Sequence, residues 1–176
     1  MKRTNWFDRT FPPQQDAGIF PCILERLEGT TARLKEKMGV INNELNTELI
    51  NSANDKWSIK KEIGHLIDLE PLWLARTLQI IDNQKDLKTT DLANTKTHQT
   101  NHDARDFNDL IQEFKQNRQQ LMSVLRNVTE ADLNKAAVHP RLGTPMKIID
   151  LAYFVAEHDD HHLAQITVLI NELKDN

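Results

Sequence analysis

The chain has 176 residues, 39% of them hydrophobic and 27% charged, with 22 Lys and Arg against 26 Asp and Glu for a formal net charge of −4. A chain of this length is expected to form one domain, residues 1–176, with its own core. The acidic balance argues against nucleic-acid binding, which calls for a clustered basic surplus. No apolar run approaches the ~20 residues of a membrane span, and the N-terminus lacks the apolar stretch of a secretory signal. The expectation is a cytoplasmic protein with neither nucleic acid nor membrane as partner. The one cysteine, Cys22, builds neither an internal disulfide nor a cysteine-based zinc site.

Residues 1–17 carry Trp6, Phe7 and Phe11 without a period, and Pro12-Pro13 forbids a regular element, so they read as an extended arm packed on the body. The rest, 18–173, reads as a bundle. Phe20, Ile23, Leu24, Leu27, Leu34 and Met38 recur at helical steps and predict a first helix over 18–38, ending at Gly39 and weakened at Gly29-Thr30-Thr31. Ser58 is a good N-cap for a second helix over 58–81, interrupted by Pro71, where a kink is expected. The polar stretch 82–103 reads as a long crossover loop. Phe107, Leu110, Ile111, Phe114, Leu121, Met122 and Leu125 predict a third helix over 104–127. Thr129 to Asp132 can start a short turn, and His139 to Gly143 reads as a loop. Thr144 and Pro145 then serve as N-cap and first-turn proline of a last helix running to about Leu173. Four long helices with one crossover make an all-α four-helix bundle, whose core is a usual place for a metal.

The chemistry concentrates in the last helix, where Glu157-His158-Asp159-Asp160-His161-His162 holds three of the seven histidines. Imidazoles four apart stand one turn above each other, about 5.4 Å apart, and can reach one ion. At about 100° per residue, the apolar face built by Ile148, Leu151, Val155, Ile166 and Leu169 contains His162 well inside and His158 towards one edge. His161 falls outside and is expected at solvent or at an interface. A third ligand has to come from another helix, and His65 is the histidine on a predicted core-lining helix. Three imidazoles suit zinc, nickel, copper or ferrous iron, and three protein ligands leave a position open for water or substrate. Buried histidines at helical spacing are also compatible with satisfied core residues, so the spacing leaves both readings open.

The run Trp57-Ser58-Ile59-Lys60-Lys61-Glu62-Ile63-Gly64-His65-Leu66, Asp68 and Glu70 after it, Arg76, the His139-Pro140 loop and the 157–162 histidine cluster together resemble the DinB/YfiT-like superfamily, in order over roughly residues 18–173. The resemblance implies a four-helix bundle with one divalent metal, zinc or nickel, on one histidine of the second helix and two of the last. In this chain those are His65, His158 and His162. It further implies a metal-dependent hydrolase acting on a small molecule, or alternatively a transferase of a low-molecular-weight thiol such as bacillithiol, and frequently a homodimer. A non-catalytic metal- or ligand-binding bundle is the competing class.

Two carboxylates are catalytic candidates. Glu62, three residues before His65, can act as general base or hold a ligand histidine, or simply complement the helix dipole. Asp159 can accept the second N–H of a ligand histidine or form a helix-edge salt bridge, while Asp160 reads as solvated. Glu70 lies mid-face and needs a buried partner. Arg26 is a candidate for that role, whereas Arg76 is not adjacent to Glu70. His98 and His102 read as loop histidines, Cys22 as inert buried packing, and Trp57 and Trp73 as core aromatics rather than a substrate cage.

Overall fold

The computed structural model describes residues 3–44 and 57–175. In chain order they form α1 (Phe20–Glu44), α2 (Ile59–Ile81), α3 (Thr95–Gln99), α4 (Phe107–Leu125), α5 (Glu130–Leu133), β1 (Ala136–Val138), β2 (Pro145–Lys147) and α6 (Ile148–Lys174). The four long helices α1, α2, α4 and α6 make the expected bundle. α1 continues past Gly39 because the apolar stripe does. Leu34, Met38 and Ile41 are all buried, and burying one Ile is worth ~1.5–3 kcal/mol against ~1 kcal/mol for a helical Gly. Ser58 caps α2 by accepting from the Lys61 N–H at 3.0 Å, and α2 runs on through Pro71, which is exposed.

Packing pairs α1 with α6 and α4, and α2 with α4 and α6. Contacts Arg26 to Glu157 and Arg33 to Asp160 advance in the same sense, so α1 and α6 are parallel. Glu62 with His162 and Trp73 with Phe154 advance oppositely, so α2 and α6 are antiparallel. Sequence neighbours α1 and α2 therefore occupy opposite corners of the bundle.

Two further segments depart from expectation. The stretch 82–103 is not a plain loop. Asp91 accepts from the Ala93 and Thr95 N–H groups, Asn94 takes a left-handed φ of 53°, and α3 follows, burying Thr97. His102 is also buried, in a 3-10 turn, His102–Ala104. Thr144-Pro145 does not open the last helix either. Pro145–Lys147 pairs antiparallel with Ala136–Val138, turning Ala137 and Met146 into the core. α6 begins only at Ile148, where Asp150 accepts from the Lys147 N–H at 2.9 Å. Residues 3–19 are extended apart from 3-10 turns at Trp6–Asp8 and Ala17–Ile19. They lie along α6, with Trp6 and Phe11 against Phe154 at 5.1 and 4.6 Å between ring centroids.

The apolar core divides into two clusters, one containing Leu27, Trp73, Leu121 and Ala156, the other Leu34, Leu66, Phe114 and Leu163. Between the clusters each long helix contributes one member of a buried polar layer, Thr30, Glu70, Arg118 or Asp159, and on α6 the buried His158 and His162 flank Asp159. Arg118 donates to Glu70 at 2.6 Å and to Asp159 at 2.7 Å, and the Thr30 hydroxyl donates to Asp159 at 2.7 Å. Burial works to lower the Arg118 pKa, but the Asp159 and Glu70 carboxylates more than offset it and hold the guanidinium above its usual range. The partner of Glu70 is thus Arg118, from the helix beside it, and not Arg26. Arg26 instead bonds Glu157 and Asp160. Asp160, expected to be solvated, takes both Arg26 and Arg33.

Candidate metal site

His158 and His162 stand a turn apart on α6 with their Nε2 atoms 3.2 Å apart. His65 faces them from α2, its ring centroid 5.3 Å from that of His158 and 4.8 Å from that of His162. All three rings are buried, and one nitrogen from each lies within 4.8 Å of the others. Zn–N bonds of ~2.0–2.1 Å at tetrahedral angles space ligand nitrogens by ~3.3 Å. The His158–His162 pair has that spacing, and the His65 nitrogen lies within 4.8 Å of both.

Hydrogen bonds at the far nitrogens decide which lone pairs are free. The Thr97 hydroxyl donates to Asp68 at 2.9 Å, so the same oxygen accepts from the His65 Nδ1–H at 3.1 Å and leaves His65 Nε2 unprotonated. His102 Nε2 also donates to Asp68, at 3.0 Å, and Lys96 lies 3.1 Å away. Gly64 makes this possible: a Cβ there would sit 2.2 Å from the His102 ring. On the other side Glu62 Oε2 lies 2.5 Å from His162 Nδ1, with one proton between them. His158 Nδ1 is buried and finds no hydrogen-bond partner among the described residues.

Burial, then the neighbouring His162, lowers the His65 pKa to about 3. Burial lowers His162 to about 3 and takes His158 well below its usual value. The rings are therefore neutral at pH 7, which is the state that ligates metal. Burial pushes the Glu62 carboxyl up to about 8. A cation on His162 Nε2 would place the shared proton on Nδ1 and keep Glu62 ionised, the arrangement by which carboxylates fix ligand tautomers.

The triad opens into a cavity of about 460 Å³ lined by residues from α2, the 89–94 segment, the 139–141 loop, α6 and the N-terminal arm. Trp57 and Trp73 are walls of this cavity, and Trp57 lies nearly parallel to His162, at 6.3 Å and 12°. Trp73 is the core aromatic expected, buried in the first cluster with one side on the cavity, whereas the half-buried Trp57 is a cavity wall and corrects the expectation of a core aromatic.

Of the other predicted residues, Asp159 does not hydrogen-bond a ligand histidine. It is fully buried and committed to Arg118 and Thr30, because α6 turns it towards α1 and α4 rather than α2. His161 is not solvent-facing: the arm covers it, with Trp6 at 5.6 Å and Arg3 donating to its backbone oxygen at 2.7 Å. His98 is exposed on α3, 5.6 Å edge-on from Trp57. Cys22 is exposed, not buried. The Asp68, Thr97 and His102 relay carried no periodic signal, since two of its members lie in a polar segment.

The sequence matches no curated protein. The structure is similar to that of YfiT from Bacillus subtilis, described as a probable metal-dependent hydrolase with an unusual four-helix bundle topology. The TM-score is 0.78 at 16% identity, covering 93% of this chain and 94% of that one; at this identity the likeness carries the fold. No described helix is long and apolar enough to cross a membrane. The sequence profile of the DinB superfamily matches residues 23–166, reaching into all four long helices, and the chain therefore belongs to the DinB superfamily.

Proposed function

We propose that this protein is a metal-dependent hydrolase of small molecules, holding one divalent transition metal, zinc or nickel, on His65, His158 and His162. The observation that carries the reading is the meeting of three buried, neutral imidazoles from two antiparallel helices at the floor of a cavity. Their nitrogen-only donor set favours these metals over hard cations. The description of YfiT as a probable metal-dependent hydrolase agrees with it.

When bound, the cation would supply Lewis acidity in its open position, polarising a carbonyl and activating water for attack. The chain's own residues do the rest. Asp68, through Thr97, orients the His65 ring. Glu62 holds the Nδ1 proton of His162 and fixes that ring against α2. Trp57 and Trp73 line the cavity and exclude bulk water from the reacting end. Asp159 acts at a distance, anchoring α6 to α1 and α4 so that His158 and His162 keep their facing direction.

The test is elemental analysis of the purified protein and of His65→Ala and His162→Ala, followed by a panel of esters and amides. The expected result is near-stoichiometric zinc or nickel in the wild type, loss of it in both variants, and hydrolysis that follows the metal. Equal metal content in all three would overturn the site. Metal-dependent consumption of electrophiles only with added bacillithiol would replace hydrolysis by thiol transfer.

A further inference from the structure

The chain has nine arginines. Six of them, Arg9, Arg26, Arg33, Arg105, Arg118 and Arg126, pair with a carboxylate of a described residue. Arg3, Arg76 and Arg141 have no such pair among the described residues, and all three line the cavity above the histidine triad. Arg3 is satisfied by neutral acceptors, the His161 carbonyl and the Gln165 side chain. Arg76 and Arg141 are not: the Nη2 atom of each is buried and has no hydrogen-bond partner among the described residues.

Arg76 is the more telling. It is 1% exposed, as buried as Arg118 at 2%. Arg118 is neutralised by two carboxylates. Among the described residues Arg76 has neutral company alone: Nε donates to the Lys88 carbonyl at 2.9 Å, Nη1 lies 3.1 Å from His139 Nε2, and the guanidinium lies 5.5 Å from the Trp73 ring centroid. The His139 ring supplies no counter-charge, since burial, then Arg76 and Arg141, lowers its pKa to about 4. His139 Nδ1 accepts from the Arg141 and Leu142 backbone N–H groups at 3.2 Å, so the neutral ring carries its proton on Nε2 and offers Arg76 Nη1 no acceptor. A guanidinium does not shed its proton at neutral pH, so two uncompensated cations share one wall of the cavity. The carboxylates that also line it, Glu62 and Asp91, make no ion pair with either and are engaged by His162 and by backbone N–H groups.

We infer that the cavity takes a small anionic molecule, its carboxylate or phosphate group seated on Arg76 and Arg141. Guanidinium forks are suited to planar or tetrahedral oxyanions, and burial makes such bonds selective against neutral isosteres. Trp73 sets the scale. The His158 ring and the Arg76 guanidinium each lie 5.5 Å from its centroid, so no more than twice that separates them. A metabolite-sized molecule held by its anionic end reaches the triad with its other end. That second half of the statement rests on the proposed function; the anion subsite does not.

The test measures binding of phenylacetate, phenyl phosphate and the neutral phenylacetamide by calorimetry at matched ionic strength. It uses the wild type as purified, His162→Ala, Arg141→Ala and Arg76→Met. The expected result is a preference of about ten-fold or more for an anion over the amide in both the wild type and His162→Ala. The preference is lost in the two arginine variants. Preference for phenylacetate assigns a carboxylate, preference for phenyl phosphate a phosphate. Arg141 is only partly buried, so Arg141→Ala keeps the test decisive if Arg76→Met fails to fold. Absence of any anion preference in the wild type, or its survival in Arg141→Ala, overturns the inference. Because His162→Ala reads the anion subsite without the metal, failure of the metal reading and failure of this one are separable.

Discussion

Glu62 Oε2 and His162 Nδ1 lie 2.5 Å apart although one hundred positions separate them in the chain. The contact ties the first turn of α2 to the middle of α6 and gives the buried carboxyl a reason to be there. Loss of such a partner lowers metal affinity by ~10–100-fold. Glu62→Gln keeps an acceptor without the charge and is expected at the lower end of that range, Glu62→Ala at the upper end. Chelator competition measures both, and wild-type affinity in Glu62→Ala would leave the residue a helix-dipole role alone.

Arg118 neutralises Glu70 and Asp159 in the layer between the two apolar clusters. Arg118→Met strands two carboxylates side by side and is expected to cost ~3–5 kcal/mol in urea unfolding. Replacing Arg118, Glu70 and Asp159 together by apolar residues of similar volume removes the desolvation penalty along with the ions. That triple variant is expected to be near neutral or more stable by ~1–4 kcal/mol. A triple variant less stable than Arg118→Met would mean that the layer acts by more than charge balance.

Gly64 lets the His102 ring lie against α2. Alanine in a helix interior normally gains ~1 kcal/mol over glycine, yet here its Cβ would meet ring atoms at 2.2–2.5 Å. Gly64→Ala is therefore expected to lower the melting temperature and weaken metal binding by displacing His102 from Asp68. The double variant Gly64→Ala with His102→Ala relieves the clash and should recover part of the stability. No recovery would place the cost elsewhere.

The metal-free protein is expected to lose stability as pH falls from about 6.5 towards 4. Unfolded, its imidazoles take protons near 6.5; folded, His65 and His162 do so only at about 3 and His139 at about 4, with His158 displaced in the same direction. The unfolded state therefore binds the extra protons, each ring costing up to ~1.4 kcal/mol per pH unit in that window. Glu62, raised to about 8, opposes this with a single group, its stabilising contribution being present at low pH and lost as pH rises through 8. Urea midpoints at pH 7.5, 6 and 5 measure the balance. A midpoint that is flat or rises towards pH 5 would contradict the neutral buried rings.

What this sequence determined by itself is what depends on near neighbours in the chain. The apolar stripes of α1, α2, α4 and α6, the Ser58 cap and the shared face of His158 and His162 follow from 3.6 residues per turn, a local rule. Where a local rule met a longer-range one, it lost: burial of Ile41 carried α1 past Gly39, and pairing with Ala136–Val138 drew Pro145 into a strand. Which helix faces which lies outside any period. Arg118 was invisible as the partner of Glu70 until α4 lay beside α2, and His161 read as facing solvent or an interface until the arm was seen to cover it. Only the tertiary structure decided that Thr97 and Asp68 orient His65, and that Arg76 and Arg141 share a wall without a counter-ion. Burial and charge compensation are set by what the rest of the chain brings alongside, and no spacing within one helix encodes that.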